Sequence, residues 1–222
     1  MEELGTYALA LDGAKRPCAV RSSNAGHCLF TGIASPAKAR RLAETLMSDT
    51  SFSGWGIRTL DAQERRYNPL SYHNGSIWPH DNALIALGLS RYGFKAMAVQ
   101  VMSALFDAVL HFDQLRMPEL FCGFHRRPHE GPTQYPVACS PQSWSAASVF
   151  LLLQACLGLE VDAPSARITL RRPELPDFLK MVRVRNLSVG GATVDLVFER
   201  YARDVGTHLE RREGEVEVVV MK

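Results

Sequence analysis

The hydrophobic pattern changes character near residue 160 of this chain. Before that point apolar residues recur every three or four positions, the spacing of one face of an α-helix. The spacing predicts six helices, over residues 2–11, 24–31, 36–47, 81–92, 94–112 and 141–158. Ser35-Pro36 and Ser140-Pro141 each place a capping hydroxyl before a proline suited to the first helical turn. We therefore expect a mainly helical first part.

The connections between these helices are alternately long and short. Residues 12–23, 48–79 and 113–139 form the long ones, while the others are tight turns. If successive helices run in opposite directions, all three long loops emerge at one end of the helical layer. Long loops on one face of a rigid scaffold are where function usually lies.

The last sixty residues show a β-type pattern. Alternating or β-branched stretches at 168–170, 182–187, 192–198 and 216–220 are separated by turns such as Gly190-Gly191 and Glu213-Gly214. This pattern predicts a small antiparallel β appendage. The division expected is a helical unit over residues 1–160 and a β region over 161–222.

Composition and charge are those of an ordinary globular protein. Of the 222 residues, 46% are hydrophobic and 22% are charged, and the net charge of +2 favours neither nucleic acid nor an anionic membrane as partner. Five cysteines without a CxxC pair argue against a disulfide framework or a zinc ribbon and favour reduced thiols in the cytoplasm. Met1 is followed by Glu2-Glu3 and not by the basic and apolar stretches of a signal peptide. The longest apolar run, 149–153, is too short to span a membrane.

The segment from residue 53 to residue 81 holds the densest set of candidate chemistry. Sugar sites need flat aromatic faces together with short polar groups that meet many hydroxyls, and this segment supplies both. Its candidate substrate-binding residues are Trp55, Arg58, Tyr72, His73, Asn74, Trp78, His80 and Asp81. The alternative is a packed loop whose aromatic side chains only fill space beneath it.

A second candidate segment, residues 116–141, contains Glu119 between Pro118 and Leu120. A carboxylate in a rigid apolar loop is desolvated and positioned, as a general acid or base requires. The alternative is a surface glutamate with buried neighbours. Metal ligation by His73, His80 and Asp81 is disfavoured because the HExxH spacing is absent, and no phosphate-binding loop or GxSxG occurs. We predict no metal and no cofactor.

Several long motifs resemble one known family. GWGIRTL, YNPLSYHNGSIWPHDNALIALGLSRYGF, MPELFCGFHR and YPVACSPQSWSAASVFLLLQACLGL follow one another in the order typical of bacterial amylo-alpha-1,6-glucosidase (glycogen-debranching) and mannosylglycerate-hydrolase-like glycosidases. The opening stretches EELGTYALALDG and SSNAGHCLFTGI resemble the preceding block of that family. The resemblance covers about residues 2–160 and extends to a β tail of the family type.

The resemblance implies a mainly α fold: half of an (α/α)6 barrel, with about six helices in hairpins, before the β appendage. It also implies an inverting glycosidase with two carboxylates about 6.5–9.5 Å apart. Glu119 in the PELF motif takes the place of the general base, and the eight residues above line the sugar subsite. In relatives the general acid precedes the base by more residues than the number that separates Met1 from Glu119. We therefore expect a C-terminal fragment without its acid.

Three hypotheses remain. The first is a glycoside hydrolase fragment that acts on an α-glycoside and pairs with the missing N-terminal half or with a second copy. The second is a non-catalytic sugar-binding or inactive remnant of such an enzyme. A helical-repeat interaction module is the third, and it is disfavoured because no fixed-period repeat is present.

Overall fold

The structure is a computed structural model that describes residues 1–222. Five α-helices occupy its first part: α1 His27–Thr31, α2 Pro36–Leu46, α3 Pro79–Arg91, α4 Lys95–Val109 and α5 Ser143–Leu157. Six strands follow: β1 Leu159–Asp162, β2 Arg167–Arg171, β3 Met181–Val189, β4 Ala192–Arg200, β5 Val205–Glu213 and β6 Glu217–Met221. None of the helices is both long enough and apolar enough to cross a membrane.

The expectation of a mainly α half-barrel with about six helices is wrong. About 30% of the residues are helical and 23% lie in strands or bridges, so the fold is α+β with five α-helices. The helix predicted over residues 2–11 is absent because Gly5 has a left-handed φ of 62° and Leu9 pairs instead with Cys18. The Asp12 carboxylate then accepts from the amide of Arg16 and fixes a turn.

The β region is also more complex than the predicted antiparallel appendage. Strands β3, β4 and β5 form an antiparallel sheet in that order, whereas β1, β2 and β6 form a second sheet in which β2 and β6 run parallel. The sequence pattern missed β1 and β5, since most of their side chains are exposed and charged residues interrupt the alternation.

Helix α3 is the central helix of the first part. It packs against α1, α4 and α5, and its own sequence is apolar on nearly every side. Gly88 lets α1 approach, because a Cβ at that position would lie 2.5 Å from the backbone nitrogen of Phe30. The helix is consequently held on three sides, and its first turn carries His80 and Asp81.

Two hydrophobic clusters divide the interior. The larger contains 27 buried residues from Ala25 to Cys156, and the smaller contains 11 from Leu157 to Val216. Leu153 and Leu179 pack against both clusters. The boundary between the clusters falls at the end of α5, close to the predicted division at residue 160. That the helical unit and the β region are separate domains stays a prediction.

Candidate active site

The two long segments with candidate chemistry lie side by side. Ile77 and Phe121 exchange backbone hydrogen bonds of 2.9 and 3.0 Å, and isolated bridges extend this pairing to Arg58 on one side and Gln134 on the other. Both Ile77 and Phe121 are buried. This short β ladder fixes the segment before α3 against the segment that carries Glu119.

Asn82 anchors the first of these segments to α3. Its side-chain oxygen accepts from the amide of Ile57 at 2.7 Å, and its side-chain nitrogen donates to the carbonyls of Ile57 and Trp78 at 3.0 Å each. Asn82 is fully buried, so its polar atoms find their partners inside the protein. The chain before α3 is therefore held in one conformation at the site.

Both carboxylate oxygens of Glu119 are hydrogen-bonded. The hydroxyl of Tyr72 donates to Oε1 at 2.6 Å, and the backbone amide of Cys139 donates to Oε2 at 3.1 Å. The amide of Glu119 in turn donates to the carbonyl of Cys139 at 2.9 Å. A tyrosine of the first segment and a backbone amide of the second thus fix one half-buried carboxylate.

These contacts set the protonation state of the pair. The pKa of Glu119 lies below its ordinary value, chiefly because the Tyr72 hydroxyl donates to the carboxylate; burial opposes the shift, and the Cys139 amide adds to it. The same hydrogen bond raises the pKa of Tyr72 to about 12. Glu119 is consequently ionised at neutral pH, and the phenol keeps the proton that it donates.

Aromatic rings surround the Tyr72 side chain. Trp78, His73 and Tyr135 meet its ring edge-on with centroid distances of 4.9, 4.6 and 5.7 Å. The indole nitrogen of Trp78 also donates to the hydroxyl of Ser76 at 2.9 Å. These contacts fix the ring positions, and Tyr72 connects the aromatic cluster to the Glu119 carboxylate.

His80 and Asp81 continue the site into the first turn of α3. Asp81 Oδ1 lies 2.7 Å from His27 Nε2, and this contact raises the pKa of His27. Burial lowers the pKa of His80, so its imidazole is neutral at physiological pH. His80 Nδ1 and Asp81 Oδ2 are buried without a hydrogen-bond partner.

Trp55 and Arg58 lie in the interior, each only 3% exposed. The guanidinium carbon of Arg126 lies over the Trp55 ring, 4.2 Å from the ring centroid. Arg58 donates to the carbonyls of Gly123 at 2.7 Å and Thr50 at 3.0 Å. Their contacts are therefore with the protein, and a role in sugar binding stays a prediction without a contact to support it.

His73 and Asn74 are exposed at the tip of the first segment. The His73 ring is nearly parallel to the indole of Trp78, at 5.9 Å between centroids and 8° between planes. The backbone of Asn74 accepts from the amide of Asn68 at 2.8 Å. The structure thus brings Tyr72, His73, Trp78 and His80 together and leaves Asn74 at the rim.

Three residues at the site were missed by the sequence analysis. Tyr135 contacts Tyr72, Cys139 binds Glu119 through its backbone amide, and Trp144 meets the His80 ring edge at 4.9 Å. A backbone contact leaves no signal in the residue type at position 139. Trp144 lies in a helix that is apolar on all sides, a pattern that predicts core packing.

Two cavities adjoin these residues. A groove of about 660 Å³ is lined by His27, His80, Leu84, Trp144, Phe150 and Leu151, among others. A separate cavity of about 380 Å³ lies beside Trp55, Phe124 and His125. No three His, Cys, Asp or Glu side chains of the chain are grouped so that they could hold a metal ion.

An ionised carboxylate that is hydrogen-bonded to a tyrosine of an aromatic cluster is an arrangement suited to a carbohydrate-processing site. The model of one family, described as the mannosylglycerate hydrolase MGH1-like glycoside hydrolase domain, matches residues 2–132. The chain belongs to this family. The mannosylglycerate-hydrolase part of the resemblance is thereby confirmed.

Two curated relatives are the mannosylglycerate hydrolases MGH1 and MGH2 of Selaginella moellendorffii. Each is 32% identical over 81 residues, which are 36% of this chain and 17% of the relative. The chain therefore spans about a sixth of their length.

Solved structures from Thermus thermophilus share the fold. An uncharacterized conserved protein has a TM-score of 0.55 at 23% identity, over 68% of this chain and 35% of its own. A GH63 mannosylglycerate hydrolase in complex with glucose has a TM-score of 0.51 at 25% identity, over 68% of this chain and 36% of its own.

Proposed function

We propose that this chain forms part of an inverting glycoside hydrolase in which Glu119 is the general base. The supporting observation is the geometry of the carboxylate, which Tyr72 and the Cys139 amide hold in place and keep ionised. A general base must be deprotonated and positioned before water binds. Glu119 meets both conditions at neutral pH.

In the proposed reaction Glu119 takes a proton from a water molecule whose oxygen attacks the anomeric carbon. A second carboxylic acid protonates the leaving glycosidic oxygen from the opposite face of the sugar as the carbon–oxygen bond breaks. By resemblance to the family, we expect this acid to lie outside residues 1–222, on a further segment or on a second polypeptide.

The substrate class is an α-glycoside of a small hydroxylated molecule. His73 and Trp78 contact the Tyr72 ring, and His80 contacts Trp78. We expect these side chains, together with Asp81, to supply the aromatic and polar contacts that a pyranose needs. Mannosylglycerate is the first substrate to test, because two relatives are named mannosylglycerate hydrolases. An α-1,6-linked glucoside tests the glycogen-debranching alternative.

The decisive variant is Glu119→Gln, assayed together with the polypeptide that supplies the acid. Loss of the base lowers kcat by roughly 10²- to 10⁴-fold, whereas KM stays close to that of the parent because the amide keeps the shape of the side chain. Glu130→Gln is the matched control, since Glu130 is an exposed carboxylate of the same loop. Full activity of Glu119→Gln would refute the assignment.

Sugar binding without hydrolysis, by a parent protein assayed together with the polypeptide that supplies the acid, would favour the second hypothesis, a non-catalytic remnant. Isothermal titration of mannosylglycerate into the parent and into Glu119→Gln measures binding separately from this activity. We expect both proteins to bind the ligand and only the parent, once the acid is supplied, to hydrolyse it.

A further inference from the structure

One side of α5 is apolar and yet exposed. Residues 143–157 contain no lysine, arginine, aspartate or glutamate. A helix that is apolar on every side is normally buried on every side. In the single chain, however, Trp144 is 62% exposed and Phe150 is 75% exposed. This side of α5 is therefore an apolar surface that the rest of the chain leaves uncovered.

The exposed side of α5 borders the groove of about 660 Å³, whose other walls are α1 and α3. We call this surface the groove face; it includes His80, Leu84, Trp144, Phe150 and Leu151. Contiguous apolar surfaces of this kind, with exposed aromatic side chains, are typical of contacts between proteins.

The absence of charge from the groove face makes it suited to a second copy of the chain. None of its lining residues is a lysine, arginine, aspartate or glutamate. The imidazole of His27 is paired with Asp81 at 2.7 Å, and His80 is neutral because burial lowers its pKa. Near a two-fold axis each group meets its own counterpart, so like charges would repel there. The groove face brings no such pair together.

The shape of the groove face also suits a symmetric contact. An interface between identical copies must carry both a projecting part and a recess, because each copy inserts into the other. Phe150 projects into solvent at the border of the groove, and the groove supplies the recess. Burial of Trp144 and Phe150 in both copies would remove roughly 600 Å² from water, about a third of the 1,600 Å² of a standard interface. The rest of the groove face lies beside these two rings.

We propose that the groove face is the interface of a symmetric dimer, in which Trp144 and Phe150 of each copy pack against the groove of the other. The proposal goes beyond the glycosidase assignment and does not depend on it. His80 lines the groove and also meets the Trp78 ring at 5.5 Å between centroids. The dimer interface would therefore border the candidate active site.

The test is the molar mass of the purified 222-residue protein, measured by size-exclusion chromatography with light scattering at about 1 to 100 µM. We expect the parent to reach twice the 24.6 kDa of one chain. Trp144→Ala should weaken the dimer at least about tenfold, and Phe150→Glu should give a monomer, because each copy would then bury an unpaired carboxylate.

Leu110→Glu is the matched control. Leu110 is an apolar residue with 67% exposure at the end of α4, and it does not line the groove. The same change of charge at this position should leave the dimer intact. Circular dichroism of Phe150→Glu should match that of the parent, because a side chain this exposed contributes little to the fold.

A parent that stays monomeric at the highest concentration would overturn the proposal, as would a dimer that neither Phe150→Glu nor Trp144→Ala weakens. An open series of larger species would also overturn it, because a two-fold contact closes at two copies. Binding of the acid-bearing polypeptide to a monomeric parent, abolished by Phe150→Glu, would assign the groove face to that partner instead.

Discussion

At the scale of single residues, the contact between Tyr72 and Glu119 carries most of the chemistry. Each side chain alone is ordinary, and the 2.6 Å hydrogen bond between them shifts both pKa values in the directions that keep the carboxylate charged and the phenol neutral. We infer that Tyr72 is a positioning residue, because its hydroxyl donates to the Glu119 carboxylate.

Tyr72→Phe should move the pH dependence of activity. Removal of the donated hydrogen bond raises the pKa of Glu119, and activity requires the ionised carboxylate. The acid limb of kcat/KM against pH should therefore shift to higher pH, so that activity is lost earlier as the pH falls. Tyr135→Phe is the control, because the Tyr135 ring contacts Tyr72 while Glu119 takes its hydrogen bonds from Tyr72 and Cys139. An unchanged acid limb in Tyr72→Phe would contradict the role given to Tyr72.

The candidate residues could be predicted as types but not as contacts. Long loops rich in aromatic and carboxylate groups indicate Glu119, Tyr72 and Trp78 as candidates, and the family resemblance adds the role of Glu119. The sequence could not reveal that Trp55 and Arg58 are buried. The residue type alone does not show whether a tryptophan contacts a cation or a sugar, or whether an arginine binds a backbone carbonyl or a sugar.

At the scale of elements, the tight packing of α1 on α3 depends on Gly88. Alanine is the better helix former by about 1 kcal/mol, yet its Cβ would lie 2.5 Å from the Phe30 nitrogen and 2.7 Å from Leu29 Cβ. Because backbone cannot yield as a flexible side chain does, overpacking should cost about 1–3 kcal/mol and outweigh the gain in propensity.

Gly88→Ala should therefore lower the free energy of unfolding, measured by urea denaturation. Gly13→Ala is the matched control, since a Cβ there meets no atom within 4 Å. We expect the control to stay within about 0.5 kcal/mol of the parent. A Gly88→Ala protein as stable as the parent would mean that α1 can move away from α3 freely.

Helical spacing located the helices from α1 to α5 within a few residues, because each buries one face or is buried on all sides. It failed at residues 2–11, where Gly5 and the Asp12 turn override the apolar spacing. The alternation typical of strands did not indicate β5, Val205–Glu213, because most of its side chains are exposed and several are charged. Sheet pairing between distant strands, such as β2 with β6, leaves no local pattern.

At the scale of the whole molecule, the fold is a helical layer with a long-loop site, joined through the end of α5 to two small sheets. The family match covers residues 2–132, and the solved relatives are about three times longer than the part this chain matches. The candidate site lies within the helical part and its loops. Leu153 and Leu157 of α5 pack into the smaller hydrophobic cluster, whose other buried members come from the β region.

Whether a sugar binds next to Glu119 is tested most directly by a crystal structure of the protein soaked with glucose. We expect a pyranose bordered by Trp78 and His80, with a water molecule between its anomeric carbon and the Glu119 carboxylate. A pyranose found only in the cavity beside Trp55, or on a face away from Glu119, would refute the assignment of this site.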